Sequence, residues 1–309
     1  MKRVSLTPPS ESHSALSCAG GFGVMGHGVR LGIRVNDESF IPQLLKHLPE
    51  TAKPLTSDSL IGRKFDCVLS VIRGSDQFGT PEYSLRLIHH KLEHSVQIRD
   101  EEDFLDVFHS RVGWAIACFA PRRVFVHAGA VAWQGRAIII PGASLSGKST
   151  LVAELVRAGA TYLSDEFAVL DCRGRVQPFP KAIALRPTPG STKQVNVPVE
   201  AFGGRAGKRS EPAGLIVLTG YEEGARWQPK VLSPGRGVLG LLSNSPAGQI
   251  APTRVLRVLR DVANLATTIS SPRGEAADIA RQILNLAHGG ALVQDASEVA
   301  LGNADHDRS

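Results

Sequence analysis

Three groups of residues have the types and spacing for chemistry. Residues 141–150 read PGASLSGKST, in which Gly142, Gly147, Lys148 and Ser149 fit the pattern G-x-x-x-x-G-K-[ST]. A loop of this kind (Gly142, Ala143, Ser144, Leu145, Ser146, Gly147, Lys148, Ser149 and Thr150) turns backbone N–H groups and the first turn of a helix toward an anion. Its lysine, Lys148, is expected at the β- and γ-phosphates of a nucleotide such as ATP, and the Ser149 hydroxyl at Mg²⁺. The second group is the pair Asp165-Glu166, shortly after the segment that follows the loop. One carboxylate there suits Mg²⁺ and the other suits a proton taken from an attacking hydroxyl. The third is His127, a lone histidine in an apolar stretch about 20 residues before Lys148, placed to reach the same phosphate or to orient Asp165.

The elements around these residues must deliver them. Residues 136–140 read as a short apolar strand entering the loop. Leu151, Val152, Leu155 and Val156 recur at helical spacing after it, and Gly159 is placed to stop that helix. Residues 123–133, RVFVHAGAVAW, alternate as a strand, and Gln134-Gly135 marks a hairpin turn into the loop-bearing strand. After the helix, 161–163 is a short strand ending at Ser164-Asp165-Glu166. Residues 167–171 and 176–179 flank Arg173-Gly174 as a second hairpin, and 181–186 continues extended until Pro187 and Pro189.

The rest of the chain is read more briefly. Residues 1–24 are rich in Ser, Gly and Pro and read as a mobile leader. A small α+β module follows over 25–120. It has strands at 28–36, 65–73 and a pair within 83–99, with helices at 38–48 and 103–119. His89, His90 and His94 cluster there with no Cys or carboxylate set to complete a metal site, and read as polar-face histidines. Residues 190–212 read as a mobile basic loop whose Gly207-Lys208 only mimics half a phosphate loop. Residues 215–219 are a buried strand, 233–242 and 254–265 helices, 266–270 a strand, 275–287 a last helix and 288–309 a disordered tail.

Composition bounds the function. The 309 residues are 42% apolar, 21% charged and 6% aromatic, with net charge +6. That is ordinary for a globular protein. Basic residues are dispersed and aromatics few, which argues against nucleic acid as partner and for a basic surface facing a nucleotide or an acidic protein. Cys18, Cys67, Cys118 and Cys172 are far apart, as expected of free thiols in a reducing cytoplasm. The longest apolar run, 114–120, is too short to span a membrane, and residues 5–14 are polar where a signal peptide is apolar.

The segment 127–171 resembles the catalytic domain of HPr kinase/phosphorylase and its bacterial relatives, the HprK-related serine kinases. The resemblance is carried by VHAGAV, GASLSGKS and ELVRAGATYLSDE. It implies an α/β P-loop kinase domain of the HPr kinase/PEP carboxykinase-like type over 121–287, with His127, Lys148, Ser149, Asp165 and Glu166 as its site. Asp165 would be the base toward a substrate serine and Glu166 would join Ser149 at Mg²⁺, although the two acidic roles are exchangeable. ATP is the implied cofactor, an HPr-like protein or a ribosomal-peptide precursor the implied substrate, and a hexamer the implied assembly. Glu166 stands where HPr kinases usually carry Asp. The family's E-x-R-G-x-G segment has no copy here, although Glu200 lies in roughly that region. Two other readings stand beside a serine kinase. One is a nucleotide switch or ATPase without a phosphorylated partner. The other is a small-molecule phosphotransferase akin to ATP-dependent carboxykinases, for which Lys181 and Arg186 would be the candidate carboxylate binders.

Overall fold

The computed structural model describes residues 19–56, 64–75, 77–89, 92–186 and 194–288. The leader up to residue 18, His90, Pro187, Pro189 and the tail from residue 289 lie outside the described residues, as does the side chain of His94. The chain divides into two compact units, one ending at Arg123 and one beginning at Val124. Both mix helices with sheet.

The first unit is a six-stranded sheet in the order β3-β1-β2-β4-β5-β6. Its strands are β1 (Gly20–Gly26), β2 (Val29–Val35), β3 (Lys53–Pro54), β4 (Cys67–Ser75), β5 (Pro81–His89) and β6 (Leu92–Ile98). The leader expected to run to residue 24 therefore ends earlier. The glycine-rich segment GGFGVMG has no strand signature of its own, yet it pairs along its length with β2. His27 and Gly28 both take positive φ (48° and 84°), the backbone a tight antiparallel hairpin needs. Between β2 and its parallel neighbour β4 come a 3-10 turn and α1 (Ile41–Lys46), a shorter helix than the periodicity over 38–48 implied.

α2 (Glu101–Phe119) opens on the Asp100 carboxylate, which accepts the Asp103 N–H at 2.9 Å. Glu101, Glu102 and Asp103 fill its first turn, where acidic residues are favoured by the helix dipole. Phe104 of this helix packs among Phe40 and Tyr83, with ring centroids 5.1–5.9 Å apart.

The second unit has a mixed eight-stranded sheet in the order β11-β10-β7-β8-β14-β16-β15, with β9 also on β7. These are β7 (Val124–Trp133), β8 (Arg136–Pro141), β9 (Thr161–Ser164), β10 (Phe167–Leu170), β11 (Arg175–Gln177), β14 (Glu211–Leu218), β15 (Lys230–Leu232) and β16 (Thr267–Ser270). The strands β12 (Ile183–Leu185) and β13 (Val195–Val197) form a separate two-stranded sheet. β8, β14 and β16 are parallel and adjacent.

Alternation along the strands splits the core between two faces. Ile139 and Ile216 turn toward one cluster with Leu241, Val255, Leu259 and Val262, from α4 (Pro234–Leu242) and α5 (Pro252–Leu265). Ile138, Ile140 and Val217 turn toward the other with Leu151, Leu155, Ile279 and Ile283, from α3 (Lys148–Arg157) and α6 (Ala276–Ala287). Helices on both faces of a central sheet make three layers, which is why the strand sequences read as near-continuous apolar runs.

Two sequence expectations are corrected here. The basic segment expected to be loose over 190–212 is built into the unit over its described part. Gly207 N–H donates to Tyr162 O at 2.7 Å and Tyr162 N–H to Arg205 O at 3.0 Å, while Val199 and Phe202 are buried against α3 residues. Dense glycine and charge disguised contacts made by only a few apolar side chains. β15 was missed because KVL is too short to show a period; it forms by pairing with β16.

Candidate functional site

β7 positions the site, because the two reactive segments flank it on opposite sides at one level. On one side runs β8. The turn joining them carries Gln134 at φ 49° and Gly135 at φ 79°, the twist-matched turn expected of that dipeptide. Ala128 pairs with Pro141 at the end of β8, and Gly142 N–H donates to His127 O at 3.2 Å. The loop thus leaves the sheet beside His127.

On the other side β9 and β10 run along β7 as one interrupted strand. Ser164 pairs with Ala130 and Phe167 with His127, so Asp165 and Glu166 occupy the break, across from Ala128 and Gly129. The break is held by Ser164, whose buried Oγ accepts the N–H groups of Glu166 (3.2 Å) and Phe167 (3.1 Å). Gly129 opposite has no room for a side chain, since a Cβ there would lie 2.4 Å from Val152 Cγ2 of α3.

The loop is tightly wound. Leu145 and Gly147 take left-handed φ values of 71° and 79°, and the Leu145 side chain stands in solvent. Gly147 is the residue before α3. At the far end, Gly159 has φ 106°. Its N–H and that of Ala160 cap Val156 O (2.9 Å) and Leu155 O (3.0 Å), so α3 stops and the chain returns directly to β9. Lys148 is only 8% exposed and its Nζ donates to Ala143 O at 2.8 Å. Ala143, Ser144, Leu145 and Thr150 are exposed, Ser149 is half-buried, and the buried Ser146 Oγ has no hydrogen-bond partner.

Electrostatics couple these groups. Burial lowers the Lys148 pKa, Asp165 opposes that shift and Arg186 adds to it. Asp165 is buried, and burial raises its pKa, against the Ser149 hydroxyl, the Ala184 N–H and the Lys148 charge. Its Oδ2 accepts the Ala184 N–H at 3.2 Å, while its buried Oδ1 has no hydrogen-bond partner. His127 is pushed down from 6.5 to about 4, by burial first and then Lys148, with Glu166 pulling the other way. At neutral pH its ring is therefore uncharged.

His127, the loop from Gly142 to Thr150, Asp165 and Glu166 lie in this neighbourhood. The oxygens of Ser149, Asp165 and Glu166 form a hard donor set, and the unpartnered Asp165 Oδ1 leaves one acceptor to spare, so the residues fit Mg²⁺. Among the described residues there is no group of three or more His, Cys, Asp or Glu side chains able to hold a metal by themselves. A cation here would need ligands from a bound phosphate.

Two participants were not foreseen. Lys181 Nζ lies 2.6 Å from Glu166 Oε2; sequence offered it as a carboxylate binder for a small substrate or as a surface charge, not as the partner of Glu166. Arg273 is 2% exposed and donates from Nη2 to Gly147 O at 2.7 Å. It lies 126 residues from that glycine, in no motif, so nothing in the sequence marked it.

No family model matches the chain, and no curated protein matches it. Among solved structures, the Hpr(Ser) kinase/phosphatase from Coxiella burnetii is similar over 53% of this chain and 88% of that one, at 16% identity and a TM-score of 0.31. At that similarity any relationship is distant at most. Among the described residues no helix is long and apolar enough to cross a membrane.

Proposed function

We propose that the second unit binds ATP with Mg²⁺ and transfers the γ-phosphate to a serine of a protein or peptide. The observation that carries this is the convergence on β7. A glycine-rich loop with a buried lysine leaves one side of that strand, a buried carboxylate with a free oxygen sits on the other, and an uncharged histidine lies between them. A bare anion site needs only the loop; the buried acid across the strand is what a transferase adds.

The residues divide the work. Backbone N–H groups of the loop and Lys148 hold the β- and γ-phosphates and offset the charge that develops on them. Ser149 and Glu166 would hold Mg²⁺ beside Asp165, and the ion would supply positive charge to offset that of the phosphates. The serine oxygen bonds to the γ-phosphorus as the bond to the bridging oxygen of ADP breaks, and the serine proton passes to Asp165 Oδ1. Burial makes that carboxylate a better proton acceptor than an exposed aspartate. His127, neutral and beside Glu166 and Lys148, orients the acidic pair without adding charge that would repel Lys148. Lys181 holds Glu166 in place.

The test is incubation of the purified protein with γ-labelled ATP, Mg²⁺ and host lysate, beside a Lys148→Ala control. Label on a protein or peptide in the first and not in the second is the expected result. Release of free phosphate with no labelled acceptor would replace this reading with a nucleotide switch.

A further inference from the structure

The loop leaves the carboxyl end of β8, and β8, β14 and β16 are parallel neighbours. Ligands of open α/β sheets gather beyond the carboxyl ends of such strands. On the β7 side of β8 stand His127, Asp165 and Glu166. On the opposite side, beyond β14 and β16, lies a cavity of about 360 Å³, near the lower end of the roughly 300–1,000 Å³ range of ligand pockets. Leu218, Thr219, Tyr221, Ser270, Ser271 and Pro272 are among its lining residues.

This cavity is tied to the far end of the loop. Tyr221 N–H reaches Ser146 O at 3.4 Å. Arg273, whose Nη2 holds Gly147 O, also donates from Nη1 to Gly274 O at 2.9 Å and stands 5.7 Å from the Tyr221 ring centre. Polar groups there remain to be used: the buried Thr219 Oγ1 and Arg273 Nε have no hydrogen-bond partner. Tyr221 is 49% exposed, so an aromatic side chain stands in the open beside the apolar walls of Leu218 and Pro272.

We propose that this cavity takes the ribose and base of the nucleoside triphosphate, with Tyr221 stacking on the base and Thr219 bonding the nucleoside; the inference rests on the phosphotransfer reading above. It orients the polyphosphate across β8. The γ-phosphate points to the β7 side, where the carboxylates are, and the α-phosphate to the β14 side, where the cavity opens. Arg273 joins the two halves by fixing Gly147 from the nucleoside side.

The test is equilibrium binding of two probes, MgATP and magnesium tripolyphosphate, to the full chain and to Tyr221→Ala and Thr219→Val. Tyr221→Ala is expected to weaken ATP on the order of 10-fold and Thr219→Val by about 3- to 10-fold, with tripolyphosphate left within about 2-fold. Equal losses for both probes would overturn the subsite, because the residues would then act on the loop. Unchanged ATP affinity in both variants would also overturn it. Wild-type protein that binds tripolyphosphate as tightly as ATP would remove the nucleoside subsite while leaving the phosphate loop standing. Failure to bind either probe would remove the phosphotransfer reading itself.

Discussion

Acid titrates His127 in a way the geometry fixes. Its ring is held at about 4, below the ordinary 6.5, by burial and by the Lys148 charge. The unfolded chain therefore takes up the proton first. The stability contributed by the neutral ring is complete above 6.5 and is lost as pH falls toward about 4. At 1.36 kcal/mol per tenfold, the full displacement corresponds to at most about 3.4 kcal/mol. The ring is half-buried, so solvent screening reduces this to about 1–2 kcal/mol. NMR titration of the imidazole, assigned by its disappearance in His127→Gln, should give a midpoint clearly below the ordinary 6.5. Urea unfolding should show the wild type losing about 1 kcal/mol more than His127→Gln between about pH 7.5 and about pH 5. A midpoint near 6.5, or parallel losses in the two proteins, would refute the burial of this ring beside Lys148 and with it the uncharged orienting role.

Other expectations follow from single contacts. Gly147→Ala forces a left-handed backbone on alanine, costing about 1–2 kcal/mol. It also sets a Cβ 2.4 Å from Arg273 Nη2, so phosphate affinity by calorimetry should fall at least about 10-fold. Gly129→Ala drives a methyl into Val152 and should cost about 1–3 kcal/mol in thermal unfolding. Glu166→Gln removes the negative charge that pairs with Lys181 and that a proposed metal ligand supplies. The Mg²⁺ concentration needed for half-maximal activity should rise while nucleotide binding without the metal stays the same.

Much of this architecture was legible because local signals agreed with tertiary demand. The loop, its strand and its helix were readable from glycine placement and from the spacing of Leu151, Leu155 and Val156, all of which are buried. The Gln134-Gly135 hairpin was readable because few dipeptides tolerate two positive φ values. The neighbourhood of His127, Lys148 and Asp165 followed from short connections, since a hairpin and a helix that stops at Gly159 leave the chain nowhere else to return.

What the sequence hid was long-range or aperiodic. Gly20–Gly26 is a strand only because β2 is beside it. Residues 199–207 are ordered by contacts with Tyr162 and α3 that no periodicity announces. Arg273 reaches Gly147 across the sheet, and neither residue's neighbours in sequence foretell the meeting. The two-residue break that presents Asp165 and Glu166 was readable as a strand end, but its retention beside β7 by Ser164 Oγ was not.

The central claim is that Asp165 acts on the acceptor and not on the nucleotide. Asp165→Asn keeps the shape and can still accept the Ala184 N–H, while the proton-accepting oxygen is lost. The decisive measurement pairs ATP affinity with single-turnover transfer of labelled γ-phosphate to the acceptor, in wild type and in this variant. The account predicts affinity within a few-fold of wild type and transfer reduced by about 10²–10⁴-fold. Transfer at the wild-type rate would contradict it, and so would a loss of ATP affinity large enough to explain the loss of transfer.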